Sequence, residues 1–196
     1  MVMVSQLEEC LWSKGSARDV WMVVDSARDR RIFGLLLECF YSSLSSLFAM
    51  PLPPQLEPVA PYLVPLDHDD QKTRKFLSNA WGNNWGIFIG CDTSQERLRR
   101  HLRSFVSVRD PHGNRLLFRY YDPRILRTYL PTCTKDELAY VFGPIECFWT
   151  ESENPNHLLQ LNLDKGMLVQ RTISLRAENP PADRQRPLGH GGAEVI

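Results

Sequence analysis

The 196-residue sequence predicts a mixed α+β fold of the α/β type: a single-layer mixed β-sheet flanked by helices, ending in a β-hairpin. Three observations carry this expectation. Residues 20–24 (Val-Trp-Met-Val-Val) and 85–89 (Trp-Gly-Ile-Phe-Ile) are continuous apolar runs, the composition of strands covered on both faces. Between such runs apolar residues recur at helical spacing, so strands and helices alternate. Towards the end Leu159, Leu161 and Leu163 alternate, Asp164-Lys165-Gly166 supplies a turn, and Met167, Val169 and Ile173 resume the alternation, interrupted by Arg171.

In chain order, Leu7, Cys10 and Leu11 predict a short amphipathic helix before the first strand. Asp25-Ser26 then suits the cap of a helix carrying Ile32, Leu35, Leu36 and Cys39 on one stripe. Residues 42–65 are irregular and rich in Pro and Ser, with short strands around Leu47-Phe48 and residues 62–64. Asp69-Asp70 places acids at the start of a helix that runs to Ala80, and Gly82 suits the left-handed residue that ends it. Thr93-x-x-Glu96 reads as a capping box for a helix with Leu98, Leu102, Phe105 and Val106 on one face and Arg99, Arg100 and Arg103 opposite. Asp110-Pro-His-Gly113 is turn chemistry, and residues 115–121 read as the next strand. Asp122-Pro123 caps a helix with proline at its first position, and Thr134-x-x-Glu137 is a second capping box whose helix closes at Gly143-Pro144. A strand over 145–149 precedes the hairpin, 157–174. The expected organisation is one folded unit over 1–176 and a disordered, Pro-, Gly- and charge-rich tail over 177–196.

Composition excludes several classes. Net charge is zero and the pI near neutral, so no global field draws the chain to nucleic acid or anionic membrane. No apolar run reaches membrane-spanning length, and the N-terminus lacks the charged and apolar regions of a signal peptide. The five cysteines (Cys10, Cys39, Cys91, Cys133, Cys147) are scattered and form no C-x-x-C pair, which predicts reduced thiols and a cytoplasmic location. No metal and no cofactor are expected. His68-Asp69-Asp70 has a mixed ligand set for a metal, but acids belong at a helix start in any case. No nucleophile elbow, phosphate loop, dinucleotide fingerprint or zinc-protease motif occurs.

One charge asymmetry stands out. Residues 94–131 hold nine arginines against three acids and no lysine, and guanidinium forks suit carboxylate or phosphate. Read as a partner-binding surface for an acidic segment, it centres on Arg99, Arg100 and Arg103. Read as structure, it is a solvated face with internal ion pairs. Arg119, set among apolar and aromatic neighbours, must find a carboxylate or a ring, with Asp25 and Asp122 as candidates. Trp81 and Trp85 read as large core residues with their indole N–H groups tied to backbone.

With these residues in view, the chain resembles the bacterial type VI secretion adaptor (chaperone) family, first described only as a domain of unknown function. The resemblance lies in an ordered series: Val23-Val-Asp-Ser-Ala27, Ala60-Pro-Tyr-Leu-Val64, Trp81-Gly-x-x-Trp-Gly-Ile-Phe88, Leu98-x-x-x-Leu-Arg-x-Phe105, Arg109-Asp-Pro-x-Gly113, Leu117-Phe-Arg-Tyr-Tyr-Asp-Pro-Arg124 and Phe142-Gly-Pro144. It covers about residues 7–151. Trp81, Trp85, Arg119, Tyr120, Asp122, Pro123 and Arg124 are its structural signature. The resemblance implies a non-enzymatic protein, without cofactor, that binds a secreted toxin effector and loads it onto the VgrG spike. Many relatives continue into a larger variable lobe where this sequence has the hairpin. Two other classes remain as alternatives: a small cytoplasmic hydrolase or transferase with a scattered active site, and a nucleic-acid-binding domain using the arginines of 94–131. A pocket that gathers Cys or Ser with His and Asp separates the first from an adaptor.

Overall fold

The computed structural model describes residues 2–12, 18–110 and 112–175, so the tail expected over 177–196 lies outside the described residues. The first half of the chain forms α1 (Val2–Leu11), β1 (Asp19–Asp25), α2 (Arg31–Phe40), β2 (Ser45–Ser46), β3 (Pro61–Leu66), α3 (Gln71–Ala80) and β4 (Gly86–Cys91). There follow α4 (Gln95–Ser104), β5 (Ser107–Arg109), β6 (Arg115–Leu117), α5 (Pro123–Tyr129) and α6 (Lys135–Phe142). The chain then runs through β7 (Cys147–Glu151), β8 (His157–Asp164) and β9 (Met167–Ser174).

Seven strands make one sheet in the order β2-β3-β1-β4-β7-β8-β9, while β5 and β6 form a separate two-stranded ribbon. The mixed α+β class holds, but the sheet is antiparallel at every pairing rather than mixed. The strand–helix alternation does mark crossovers. Strands β3 and β4, joined through α3, run parallel to each other, yet β1 is inserted between them. The same holds for β1 and β7 around β4.

Two cores lie on the two faces of this sheet, and strand alternation assigns each residue to one of them. Val20, Met22 and Val24 of β1 face α1, α2 and α3, packing with Leu7, Leu36 and Phe76. Trp21 and Val23 face α4, α5 and α6, packing with Leu102, Leu126 and Phe142. The helices thus cover both faces, which is why the central strands read as unbroken apolar runs.

Local signals in the sequence set most element ends. Asp70 accepts the Thr73 amide at 2.7 Å and starts α3, and Gly82 takes a φ of 85° after it. Thr134 and Glu137 form the expected capping box. Lys165 and Gly166 both have positive φ, which gives the two-residue turn that matches strand twist. Gly86 is required for another reason: a Cβ there would lie 2.0 Å from the Val23 carbonyl oxygen.

Three expectations are corrected. The cap of α4 is Ser94, one residue later than Thr93; Glu96 then has no box to close and pairs with Arg100 at 2.9 Å. Asp25 makes no side-chain cap, and the α2 start is held instead by Asp29, which accepts the Arg31 amide at 2.9 Å. The strand read over 115–121 stops at Leu117. Beyond it Tyr120 and Tyr121 are both buried although adjacent, whereas Leu116 and Leu117 are both exposed, so no two-residue alternation survives.

Candidate partner-binding surface

The signature residues gather at one end of the sheet. Asp25 ends β1, Trp85 precedes β4 and accepts the Asp25 amide on its carbonyl at 2.8 Å, and Glu151 ends β7. The segment 119–124 wraps over this end. Arg119 pairs with Asp25, which is 1% exposed, as one of the two partners expected from sequence. Burial lowers the readiness of Arg119 to hold its proton, but the hydrogen bond and charge of Asp25 outweigh this and raise its pKa. Asp122 serves α5 instead: it accepts the Arg124 amide and Nε at 2.9 and 3.0 Å. Burial pushes the Asp122 carboxyl up, and the hydrogen bonds of Arg124 overcome it and hold the group below the usual range. Pro123 takes the first turn of α5.

The aromatic members are core. Trp81 donates its indole N–H to the Pro155 carbonyl at 2.9 Å, Trp85 is 2% exposed beside Phe76, and Tyr120 donates to the Leu102 carbonyl at 3.1 Å. Glu151, not singled out from sequence, completes this end. Burial drives its carboxyl up to about 7, although it accepts the Asn84 amide at 3.0 Å. All these groups are committed to one another, which makes this end of the sheet scaffold.

The arginines of α4 have three different roles. Arg99 is half-buried and donates Nε to the Ser46 carbonyl at 2.8 Å, tying α4 to the end of β2. Arg100 is exposed and paired with Glu96. Arg103 lines two adjoining concavities, one with Arg99 and Arg100, the other apolar. The arginines of 94–131 therefore do not form one basic face: Arg119 and Arg124 hold the sheet end, and Arg127 donates to the Glu151 carbonyl.

The apolar concavity is an open groove of about 480 Å³ between the loop 47–56, the end of α4 and strand β6. Leu52, Leu56, Leu116 and Leu117 supply its greasy wall, and Arg103 and Arg115 its charge; no acid lines it. Leu116 and Leu117 stay 49% and 52% exposed, and Leu56 42%. Among the described residues no ion pair forms at Arg99, Arg103 or Arg115. Exposed leucines beside arginines without ion pairs make this surface apolar and positively charged at once. Sequence reading missed the groove because its walls come from three separate segments. The only local signal was two consecutive leucines flanked by arginine on a strand too short to bury them.

His, Cys and Asp are absent from the groove lining, and Ser107 is its only hydroxyl. Burial raises all five thiols, Cys91 to about 11 and Cys147 to about 12, away from the reactive thiolate. In the His68 segment, Asp70 is spent on the helix cap and His68 pairs with Asp69 at 2.8 Å. Among the described residues no group of three His, Cys, Asp or Glu could hold a metal, and no helix is long and apolar enough to cross a membrane.

The domain thus has three layers, an antiparallel sheet between two layers of helices, with an open groove walled by leucines and arginines. Residues 20–140 match the family described as a domain of unknown function, DUF4123, and the chain belongs to that family. The family is linked to type VI secretion effector adaptors. Neither a curated protein nor a solved structure matches the chain.

Proposed function

We propose that this chain is a non-catalytic adaptor that binds a type VI secretion effector, helps load it onto the VgrG spike, and acts in the cytoplasm. The observation that carries the reading is the groove: exposed leucines beside arginines that pair with no carboxylate among the described residues, on a domain of a secretion-linked family. A surface of this kind is suited to holding a protein segment and has none of the convergent acid–base geometry that catalysis needs. The test is co-expression with the toxin and spike proteins encoded beside it. A complex that survives gel filtration is expected; a chain that elutes alone in the presence of both ends the reading.

A further inference from the structure

The walls of the groove are unequal in a way that bears on what fits it. All three residues of β6 line it, against only Ser107 of β5, so the groove runs along the outer edge of β6. The ribbon register pairs Ser107 with Leu117, Val108 with Leu116 and Arg109 with Arg115. Phe118 donates to the Val106 carbonyl at 2.8 Å and Asp110 to the Asn114 carbonyl at 3.0 Å. Bonded and non-bonded pairs alternate in an antiparallel ladder, so Leu116 faces β5 with its amide and carbonyl, while those of Arg115 and Leu117 point away from it. This is a free strand edge bordered by leucines, with Arg103 and Arg115 at hand and no acid in the wall.

Resting on the adaptor reading, we propose that the groove takes an extended segment of the partner, alternating apolar and acidic residues, as a third strand on β6. Main-chain bonds to Arg115 and Leu117 fix its register. Its apolar side chains enter among Leu52, Leu56 and Leu117, and its carboxylates meet Arg103 and Arg115, which form no ion pair among the described residues. A helix would leave the edge amides unused, since its own backbone is already paired.

The experiment uses the full chain and a short alternating Glu-Val peptide as probe, with a Lys-Val peptide and an acidic helical peptide as references. Saturable binding of the Glu-Val peptide alone is expected, with slowed hydrogen exchange at the Leu117 amide. The Arg103→Glu/Arg115→Glu variant should bind it about tenfold more weakly or worse. Leu117→Pro removes an outward amide together with the leucine side chain, and is compared with Leu117→Ala, which loses the side chain but keeps that amide. The proline variant should bind roughly three- to tenfold more weakly than the alanine one, the worth of one backbone hydrogen bond. If the proline variant fails to fold, the exchange measurement on the unaltered chain decides. Equal binding of the helical peptide, or an unchanged Leu117 exchange rate on saturation, overturns the strand addition. Effector capture that persists in that case leaves the adaptor reading standing, so the two failures are separable.

Discussion

Replacing Arg119 by Met tests whether the most recognisable segment of the chain is scaffold. Asp25 is 1% exposed and its carboxylate depends on Arg119, whose side chain keeps 37% exposure. Stripping the partner from a fully buried pair costs about 3–5 kcal/mol, because a buried charge is left alone. Here water reaches the guanidinium side, and Met preserves the apolar stem, so a loss of about 2–3 kcal/mol is expected. For a chain of this size that lowers the thermal midpoint by about 5–10 °C. The Asp25→Asn/Arg119→Met double variant removes the stranded charge and should regain at least half of the loss, giving a coupling of about 1 kcal/mol or more in a double-mutant cycle. Urea titrations of the four proteins supply the numbers. An Arg119→Met protein within about 0.5 kcal/mol of the parent, the range of inert surface changes, would refute the structural role.

Two further predictions concern the same scaffold. Glu151 holds its proton up to about 7 against an ordinary 4.5, so folding binds a proton and stability declines as pH rises from about 4.5 to about 7. Glu151→Gln should flatten that decline, leaving the variant more stable by up to ~3 kcal/mol above pH 7 and by little below pH 4.5, read from thermal midpoints across pH; a parallel offset at all pH values contradicts the proton linkage. Gly86→Ala should lose at least ~3 kcal/mol in urea titration, since its Cβ meets the Val23 carbonyl, which is backbone and cannot give way. Gly34→Ala, with nothing within 4 Å, should instead gain about 0.5–1 kcal/mol in the interior of α2. Equal losses at both glycines would undo the close-approach argument.

Much of the fold was legible because its signals are local. Asp70, Asp122 and Thr134 each satisfy an amide within three residues, so sequence spacing suffices to place α3, α5 and α6. Cap slippage at α4 arose because Thr93 and Ser94 both offer hydroxyls, and only the turn geometry selects one. Strand order was not legible, since inserting β1 between β3 and β4 changes no residue pattern in any of them. The Arg119–Asp25 pair was foreseen as one of two choices because a guanidinium in apolar surroundings has few options. Arg99 was read as outward-facing, and the structure ties it to Ser46, a contact that depends on where the 42–65 segment folds. The groove shares that dependence. Leu56, Arg103 and Leu117 come together only once the loop after β2 and the ribbon are both in place.

The most direct test of the central claim compares effector and spike co-purification for the unaltered chain and for Arg103→Glu/Arg115→Glu. Arg103 and Arg115 form no ion pair among the described residues, and Arg115 makes only a hydrogen bond to Ser107 at 2.6 Å. Reversing them should therefore leave the thermal midpoint within about 2 °C. The groove account predicts loss of the effector from the complex under those conditions. Full retention of the effector by a folded double variant contradicts it.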